Sequence, residues 1–538
     1  MNFKPGIATL VLLMGAAHPA LDAQTGTPTS SSPTQQQFMD YDSLKHIDIT
    51  IDADDWTNLL LNYEDNTYYH GTFTWHGISM TTGIRQRGAT SRSPLKPNLD
   101  INFAHYTKTQ AFLGLPFIIL KANNEDASNM REWLCMNLFR QMGFPAPREV
   151  PAELTINGQH FGFYYIVEHL DETFLQRNYG ESGGYLYEFE QNGSYEFENL
   201  GADSSLYAPL LDLKTKQDSA DLQTFANLVA VINQISNPSF NDADFVSALS
   251  MYIDPKQFLS YAAAENVLGE QDGLVGGIVG MNNFYLYQLA GTTLYQLIPW
   301  DKDLTFAVWN RDLLTGFTIQ PCINVLAQRL TAMPEYYSFY LSQVNKAIGI
   351  LGGQGGWADN LVTKELGIIA ESASNDPYKQ CATNGVLYSC GTADFLASAG
   401  DLQAVLATRA PFVQQELQAY GSQIIAGAPT ITSVAIAGDD PTVAITAGAV
   451  VDLFGTNLGP SAQVPDGGSM PYKMIGTFVA VNGLRSQLAF TSDGQIEFQL
   501  PAVLPPGNAH IVVSVFGNLS NTFELQLQKP AEVTVPAQ

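Results

Sequence analysis

The chain has 538 residues, too many for one compact core, so two or three folded units are expected. Acidic residues outnumber basic ones by 52 to 25, and the formal net charge of −27 argues against binding to nucleic-acid phosphates or to anionic lipid surfaces. With 45% apolar and 14% charged residues, the composition is that of a globular protein with large cores.

The first residues have the pattern of an export signal. Lys4 precedes an apolar run from Ile7 to Ala17, and small residues follow up to Ala23. This pattern predicts a signal peptide at 1–23 that is cleaved after Ala23, and therefore a secreted or periplasmic protein. The apolar run is too short to anchor the chain in a membrane, and no later stretch has the composition of a transmembrane helix.

Four segments follow the predicted signal peptide. Residues 24–40 are rich in Ser, Thr, Pro and Gln, which predicts a disordered linker. Strand and helix patterns alternate through 41–425, whereas short strands separated by turn residues fill 428–528. The predicted fold class is α+β, followed by an all-β sandwich of immunoglobulin-like size and a loose tail at 529–538.

Three elements are the clearest within the α+β part. The stretch "DASNMREWLCMNLFRQMGFP" predicts an amphipathic helix that ends at Gly143. The stretch "AELTINGQHFGFYYIVEHLD" predicts a hairpin that turns at Asn157-Gly158, and "FYLY" with "LYQLIPW" predicts a second hairpin. Residues 220–265 and 322–420 are predicted to be mostly helical.

Two aspartates one residue apart end the second hairpin, in the stretch "LIPWDKDLTF". On an extended backbone Asp301 and Asp303 project to the same side, and neighbouring carboxylates repel each other unless a cation lies between them. The pattern therefore predicts a divalent-metal site. An alternative is a simple turn in which both carboxylates cap backbone groups.

The same hairpin predicts which polar side chains meet. It brings Asp272 and the pair Asn282 and Asn283 to one end, next to Asp301 and Asp303. Phosphoryl transfer of the kinase type needs a carboxylate that orients the hydroxyl, an amide oxygen for a metal, and a metal-bound carboxylate. These residues can supply all three, although the two asparagines could also be ordinary turn residues.

At this point the sequence resembles the spore coat protein H (CotH) kinase family of atypical, secreted kinases. The similarity covers about residues 45–310, and the helices up to about 420 complete the domain. It rests on five blocks in order: "GIRQRGATSRSPLKPNLDINF", "LKANNEDASNMREWLCMNLFRQMGFPAPR", "NGQHFGFYYIVEHLDETFL", "NNFYLY" and "PWDKDLTF".

The resemblance implies a two-lobed, kinase-like fold with ATP and Mg²⁺ or Mn²⁺ between the lobes. In it Asp301 would be the metal-binding and catalytic aspartate, with Asp303 beside it. Asp272 would orient the acceptor hydroxyl, and Asn283 would be an amide ligand of the metal.

The resemblance also implies a set of nucleotide-binding residues. Arg85, Arg87 and Lys96 would face the phosphates, and Glu168 and Asp171 would lie beside the nucleotide at the strand that joins the lobes. Each has an alternative: the arginines could lie on a solvated strand face, the lysine in an ordinary loop, and the two acids could cap the following helix.

The implied function is transfer of the ATP γ-phosphoryl group to Ser or Thr of exported or cell-surface proteins. Two departures from the family pattern favour the alternative of a non-catalytic envelope or coat assembly protein. Asp100 and Asn102 occupy a strand that is usually basic, and the loop "GLVGGIVGM" replaces polar residues. The C-terminal part resembles immunoglobulin-like modules of exported proteins, which implies a spacer or adhesion role.

Four cysteines suit an oxidising compartment without a disulfide scaffold. Cys135 is predicted to be a free, buried thiol on an amphipathic helix. Cys381 and Cys390 flank a short turn-like loop, so they are predicted to pair, with Cys322 as the rival partner.

Overall fold

The computed structural model describes residues 33–529, apart from 216–217, 235–241, 321, 384, 426–428, 439–443, 460, 466, 473, 475–476 and 516–517. The predicted signal peptide, the linker up to residue 32 and the tail beyond residue 529 lie outside the described residues. The linker prediction is wrong for its last residues, because Gln35–Phe38 forms the short helix α1. Thr34 caps this helix, and Phe38 is fully buried among the aromatic residues of the first core.

A closed barrel of seven strands forms the N-terminal part of the protein. Its strands and intervening helices are β1 (Lys45–Ile51), α2 (Ala53–Leu61), β2 (Tyr69–Trp75), β3 (Ile78–Gln86), β4 (Leu99–Asn102), β5 (Phe117–Lys121), α3 (Arg131–Met142), β6 (Glu149–Ile156) and β7 (Gln159–Glu168). The order around the barrel is β1-β2-β3-β4-β5-β7-β6, and only the β1–β6 contact is parallel. The predicted hairpin at Asn157-Gly158 is confirmed as β6–β7.

Strands β5 and β7 are buried on both faces, one inside the barrel and the other against the helical part of the chain. Ile118 and Leu120 on β5 belong to the core inside the barrel, whereas Ile119 between them belongs to the core of the helical part. On β7, Ile166 faces the barrel core and Val167 the helical one. Successive side chains of a strand point to opposite faces, so the same two strands join two separate cores.

The middle of the chain is mainly helical around a four-stranded sheet. Its elements are α4 (Glu172–Tyr179), β8 (Tyr185–Phe189), a 3₁₀ helix (Ser204–Leu210), β9 (Leu211–Leu213), α5 (Leu222–Ile232), α6 (Asp242–Leu249), α7 (Pro255–Leu268), β10 (Phe284–Gln288), β11 (Tyr295–Pro299), α8 (Val325–Thr331), α9 (Pro334–Leu351), α10 (Trp357–Ser374), β12 (Gln380–Thr383), β13 (Val386–Ser389) and α11 (Thr392–Ile425). The sheet order is β11-β10-β8-β9. The predicted second hairpin is confirmed as β10–β11, and the predicted helical regions are confirmed apart from the β12–β13 hairpin.

The C-terminal part consists of short strands in two sheets around a common core. These strands are β14 (Thr430–Ile436), β15 (Val450–Thr456), β16 (Ala462–Gln463), β17 (Thr477–Val481), β18 (Leu484–Arg485), β19 (Gln487–Thr491), β20 (Gln495–Gln499), β21 (Gly507–Val515), β22 (Asn518–Leu519) and β23 (Phe523–Leu527). One sheet has the order β14-β15-β20-β19-β16, and the other has β18-β17-β21-β22 with β23 also on β21. The predicted α+β class is confirmed, whereas the two kinase-like lobes and the immunoglobulin-like sandwich stay predictions. Arg485 on β18 forms an ion pair with Asp242 on α6, at 3.1 Å.

The cysteine predictions are confirmed. Cys381, near the start of β12, and Cys390, just after β13, form a disulfide at the open end of this hairpin, with their Cα atoms 5.8 Å apart. Cys135 and Cys322 are free and buried, so the rival pairing is excluded. Among the described residues, no helix combines the length and the apolar character that crossing a bilayer requires.

Candidate active site

The candidate site is built around a lysine at the end of a barrel strand. Lys121 is the last residue of β5, and its Nζ forms an ion pair with Glu132 in the first turn of α3. The loop between them is fixed by Asp126, whose carboxylate accepts hydrogen bonds from the backbone N–H groups of Ser128 and Arg131. Helix α3 therefore begins at a defined place, and its glutamate is presented to the strand end.

Two aspartates from the turn after β11 complete a carboxylate cluster around Lys121. Asp301 Oδ1 lies 2.6 Å from Lys121 Nζ, and Asp303 Oδ2 lies 3.4 Å from it. One oxygen from each of Glu132, Asp301 and Asp303 lies within 4.8 Å of the others. Asp301 adopts a φ of 48°, which turns the chain sharply just after β11. Both aspartates thus face one centre, and a turn brings them together where the sequence predicted an extended strand; a metal at this centre stays a prediction.

The electrostatics of this cluster are those of surplus negative charge. Burial acts to lower the pKa of Lys121, but Asp301, Asp303 and Glu132 together hold that pKa well above its ordinary value. Burial and the neighbouring carboxylates Asp301 and Glu132 raise the pKa of Asp303 well above its usual range. The pKa of Asp301 is lowered, because Lys121 and Arg87 outweigh the effect of its burial. Three carboxylates therefore surround Lys121, and Arg87 is a second cation that acts on Asp301.

This donor set is suited to a divalent metal ion. If all three carboxylates are ionised, they exceed the charge of Lys121 by two, which is the charge of one such ion. Carboxylate oxygens are the preferred ligands of Mg²⁺ and Mn²⁺. The side chain of Asp301 is 42% exposed, so the cluster is open to the cleft on one side.

A cavity adjoins the carboxylate cluster. Its lining combines an apolar wall with cationic and polar groups: Arg87, Gly88, Ser91, Asn98, Ile119, Lys121, Glu132, Val167, Trp300 and Asp301. The Arg87 guanidinium lies over the ring of Trp300, 5.3 Å from its centroid. Gly88 has a φ of 102°, a conformation that a residue with a Cβ rarely adopts, so glycine permits the turn at the cavity mouth. Asn98 ties this turn to the end of β5, because its Oδ1 accepts from the N–H of Ala122 and its Nδ2 donates to Ser91 Oγ.

Asp272 lies on the loop before β10. Its Oδ2 accepts hydrogen bonds from the side-chain amides of Asn282 and Asn283, both at 2.9 Å. The carboxylate of Glu270 accepts from the N–H of Asp272 at 2.7 Å and so fixes the backbone there. Burial raises the pKa of Asp272, while the two asparagine hydrogen bonds oppose that rise. The structure thus groups Asn283 with Asp272, and its predicted role as a metal ligand stays a prediction.

The two arginines of β3 and the turn after it have different surroundings. Arg85 Nη2 lies 2.8 Å from the carboxylate of Asp100, its partner on β4, and its guanidinium is also stacked on Tyr68. Arg87 lines the cavity, and its predicted contact with phosphate stays a prediction. The departure noted at Asp100 therefore has a direct consequence, because it neutralises one of the two arginines.

Lys96 does not occupy the predicted position. Its ammonium forms a buried ion pair with Asp376, and both side chains are only 1% exposed. It also lies over the ring of Tyr164, 5.1 Å from the centroid. A lysine enclosed in this way joins the barrel to the segment after α10, so the prediction that it faces phosphate is wrong for this arrangement.

Glu168 and Asp171, at the end of β7, are also held by protein groups. The carboxylate of Glu168 accepts from Arg148 and Arg177, with closest distances of 2.8 and 2.6 Å. Asp171 caps α4 by accepting from the N–H groups of Thr173 and Phe174, which is the alternative that the sequence left open. Neither lines the cavity among the described residues, whereas Val167 on the same strand does.

Sequence reasoning missed Lys121 and Glu132. The available signal was the apolar run "FIIL", which is followed directly by Lys121. Glu132 comes 11 residues after that lysine, in the first turn of a helix. Neither helical nor strand periodicity relates the two residues, because an irregular loop separates them.

Comparison with known proteins gives the family. The family model described as "CotH kinase protein" matches residues 84–412, from within β3 to within α11. The inner spore coat protein H of Bacillus subtilis (strain 168) is 27% identical over 272 residues, which cover 49% of this chain and 70% of that protein. The candidate site lies inside both the matched region and the predicted resemblance. The chain therefore belongs to the CotH kinase protein family.

Proposed function

We propose that this protein is a secreted, metal-dependent kinase that transfers the γ-phosphoryl group of ATP to Ser or Thr hydroxyls of exported or cell-surface proteins. The observation that carries the proposal is the ion pair of Lys121 with Glu132 beside Asp301 and Asp303. Protein kinases use a strand lysine paired with a helix glutamate, next to an aspartate that holds the metal. The same groups meet here on a strand, the following helix and a turn across the cleft.

A divalent ion would be held by Asp301 and Asp303, with Glu132 at the edge of the cluster. It would supply positive charge against the phosphate oxygens during transfer. Lys121 would contact the phosphates from the strand side, and its ammonium is already directed into the cavity by the carboxylates around it. Arg87 is placed to add a second cationic contact at the cavity mouth.

The nucleotide base would bind against the apolar wall formed by Ile119, Val167 and Trp300. The barrel and the helical part, joined through β5 and β7, would then act as the two lobes of a kinase-like domain. In the reaction, the acceptor oxygen forms a bond to the γ-phosphorus while the bond to the β–γ bridging oxygen breaks and ADP leaves. Asp272 would orient the hydroxyl and receive its proton.

The decisive experiment compares Asp301→Ala with a matched aspartate substitution outside the site. Phosphate incorporation from labelled ATP with Mn²⁺ is measured on an extract of exported proteins. Removing a metal-binding carboxylate is expected to lower incorporation at least about 100-fold. Asp48→Ala, at an exposed position of β1, should keep the wild-type rate. Equal incorporation by wild type and Asp301→Ala would refute the assignment.

A second candidate is a coat or envelope assembly protein that retains the kinase-like shell without transfer. Two observations favour it: Asp100 neutralises Arg85, and Lys96 is enclosed with Asp376. The name of its relative from Bacillus subtilis also refers to the inner spore coat. Thermal unfolding with ATP and Mg²⁺ separates the two candidates, since a ligand at about 100 times its dissociation constant stabilises the fold by about 2.7 kcal/mol. No stabilisation and no incorporation would favour assembly.

The C-terminal strands are proposed to form an immunoglobulin-like spacer or adhesion module. Their support is the pair of sheets around one core and the position of β14–β23 beyond the matched family region. Deleting residues 428–538 should leave phosphoryl transfer to a peptide intact but reduce retention of the protein at the cell surface.

A further inference from the structure

Five large apolar side chains are exposed on the two loops that carry the candidate catalytic carboxylates. They are named the apolar rim: Ile278, Val279, Leu304, Val308 and Trp309. Their exposed fractions lie between 39% and 56%. Isolated exposed apolar residues are ordinary on a protein surface, but a group of them beside a reaction centre marks a binding surface.

The first loop brings its part of the rim close to Asp272. The N–H of Ile278 donates to the carbonyl of Gln271, the residue before that aspartate, at 2.8 Å. The N–H of Asn282 donates to the carbonyl of Gly273, so the loop closes back on itself. Ile278 and Val279 therefore lie at the tip of a compact loop whose base holds the aspartate.

The second loop runs from Asp303 through the rest of the rim and packs on the first. Leu304 directly follows the metal-site aspartate, and the N–H of Phe306 donates to the carbonyl of Leu268 at the end of α7. Arg311 donates to the carbonyl of Gly276 in the first loop. Gly316 also approaches the backbone of Gly276 so closely that a side chain at 316 would clash with it. The glycines of the unusual loop "GLVGGIVGM" thus serve loop packing, and they need not signal lost activity.

The rim is uncharged although the protein is strongly acidic. The solvent-exposed residues of the two stretches 278–279 and 304–310 are Ile278, Val279, Leu304, Ala307, Val308, Trp309 and Asn310, none of which is charged. The net charge of the chain is −27, and the adjoining cluster has three carboxylates for one lysine. An acidic segment would be repelled here, and the large side chains that the rim itself offers are apolar.

We propose that the apolar rim binds the acceptor segment of the substrate protein, and that this segment carries apolar side chains beside the Ser or Thr that is phosphorylated. The inference rests on the proposed kinase function. The occupant follows from continuity: a hydroxyl that reaches Asp272 and Asp301 must have its neighbours in sequence lying across the loops that hold these aspartates. Burial of apolar side chains on both partners then selects the acceptor.

The test uses fluorescently labelled peptides of equal length with one central serine. One set has Leu, Val or Ile on both sides of the serine, and the other has Gly and Ser there. Binding is measured by anisotropy and transfer by incorporation from labelled ATP with Mn²⁺. The apolar set is expected to bind at least about tenfold more tightly, and its advantage in transfer should lie in KM.

The variant Ile278→Ser/Val279→Ser should abolish this preference and leave the KM for ATP unchanged. These positions are chosen because Trp309 also packs edge-on against Phe412, so its loss would disturb the fold. Met251→Ser/Val503→Ser, at exposed apolar positions elsewhere, is the matched control and should behave as wild type. Equal binding of both peptide sets, or an unchanged preference in the rim variant, would overturn the inference. Preferential binding without any transfer would instead refute the proposed kinase function and leave the surface standing.

Discussion

Two lysines meet at the turn after β11, Lys302 within it and Lys121 from the end of β5, yet their surroundings differ. Lys302, between the two site aspartates in sequence, points away from the cleft and pairs with Glu265 at 2.8 Å, and both side chains are fully buried. The oxygens of Glu265 also accept from the N–H groups of Leu274 and Val275, so its hydrogen bonding is complete. Lys121 instead faces three carboxylates, one of them 42% exposed.

The difference separates a structural ion pair from a binding site. At Lys302 the charges are enclosed and hydrogen-bonded, and the pair fixes the loop that carries Asp272. At Lys121 the carboxylates outnumber the lysine and one of them is partly exposed, so ionisation of all three is costly unless a further cation binds. Surplus charge with an opening therefore indicates a ligand, whereas balanced and closed charge indicates a role in folding.

The largest effect is expected at the closed pair. Lys302→Met leaves Glu265 buried without its cation, and the free energy of unfolding should fall by about 3 to 5 kcal/mol. Denaturant unfolding followed by tryptophan fluorescence measures the change. Glu265→Gln/Lys302→Met removes both charges and should recover part of the loss. A stable single variant would show that the pair is not structural.

Lys121→Met should affect activity more than folding. If Lys121 contacts the phosphates as proposed, its loss is expected to lower kcat/KM for ATP at least about 100-fold, or about 2.7 kcal/mol in the transition state. Lys364→Met, which removes an exposed lysine paired with Asp42, is the control. A Lys121→Met variant that keeps the wild-type transfer rate but has a much lower free energy of unfolding would show that Lys121 stabilises the fold and does not act in catalysis.

Manganese alone should stabilise the wild-type protein, because it balances the surplus carboxylates. At about 100 times its dissociation constant the expected gain is about 2.7 kcal/mol, seen as an increase of the melting temperature with metal concentration. Asp303→Asn should lose most of this gain, while Asp48→Asn, at an exposed position of β1, should keep it. A gain of equal size in Asp303→Asn would place the metal elsewhere.

The last comparison concerns Glu365, a buried carboxyl on α10. Burial raises the pKa of Glu365 to about 7, against the hydrogen bond that it accepts from Tyr165. The folded protein keeps this proton up to about pH 7 and the unfolded chain loses it near pH 4.5, so stability should fall between these values. Glu365→Gln should remove most of that fall. Glu371→Gln, exposed on the same helix, is the control, and an unchanged profile in Glu365→Gln would contradict the prediction.

The sequence by itself determined the features that depend on local pattern. The α3 helix ends at Gly143 because this residue adopts a left-handed conformation, and β6–β7 turns at Asn157-Gly158 for the same reason. Alternating strands beyond residue 428 and the pairing of Cys381 with Cys390 also follow from short-range spacing. The five ordered blocks were sufficient to identify the family.

Only the tertiary structure decided which charges meet. Lys96 and Lys121 look alike in sequence, but Lys96 is enclosed with Asp376, 280 residues away, and Lys121 meets Asp301, 180 residues away. Such pairings depend on how the barrel packs on the helical part, and no local period encodes that arrangement. The proximity of Asp301 and Asp303 could be predicted from two neighbouring residues, whereas the lysine beside them lies on a different strand and is identified only in the folded structure.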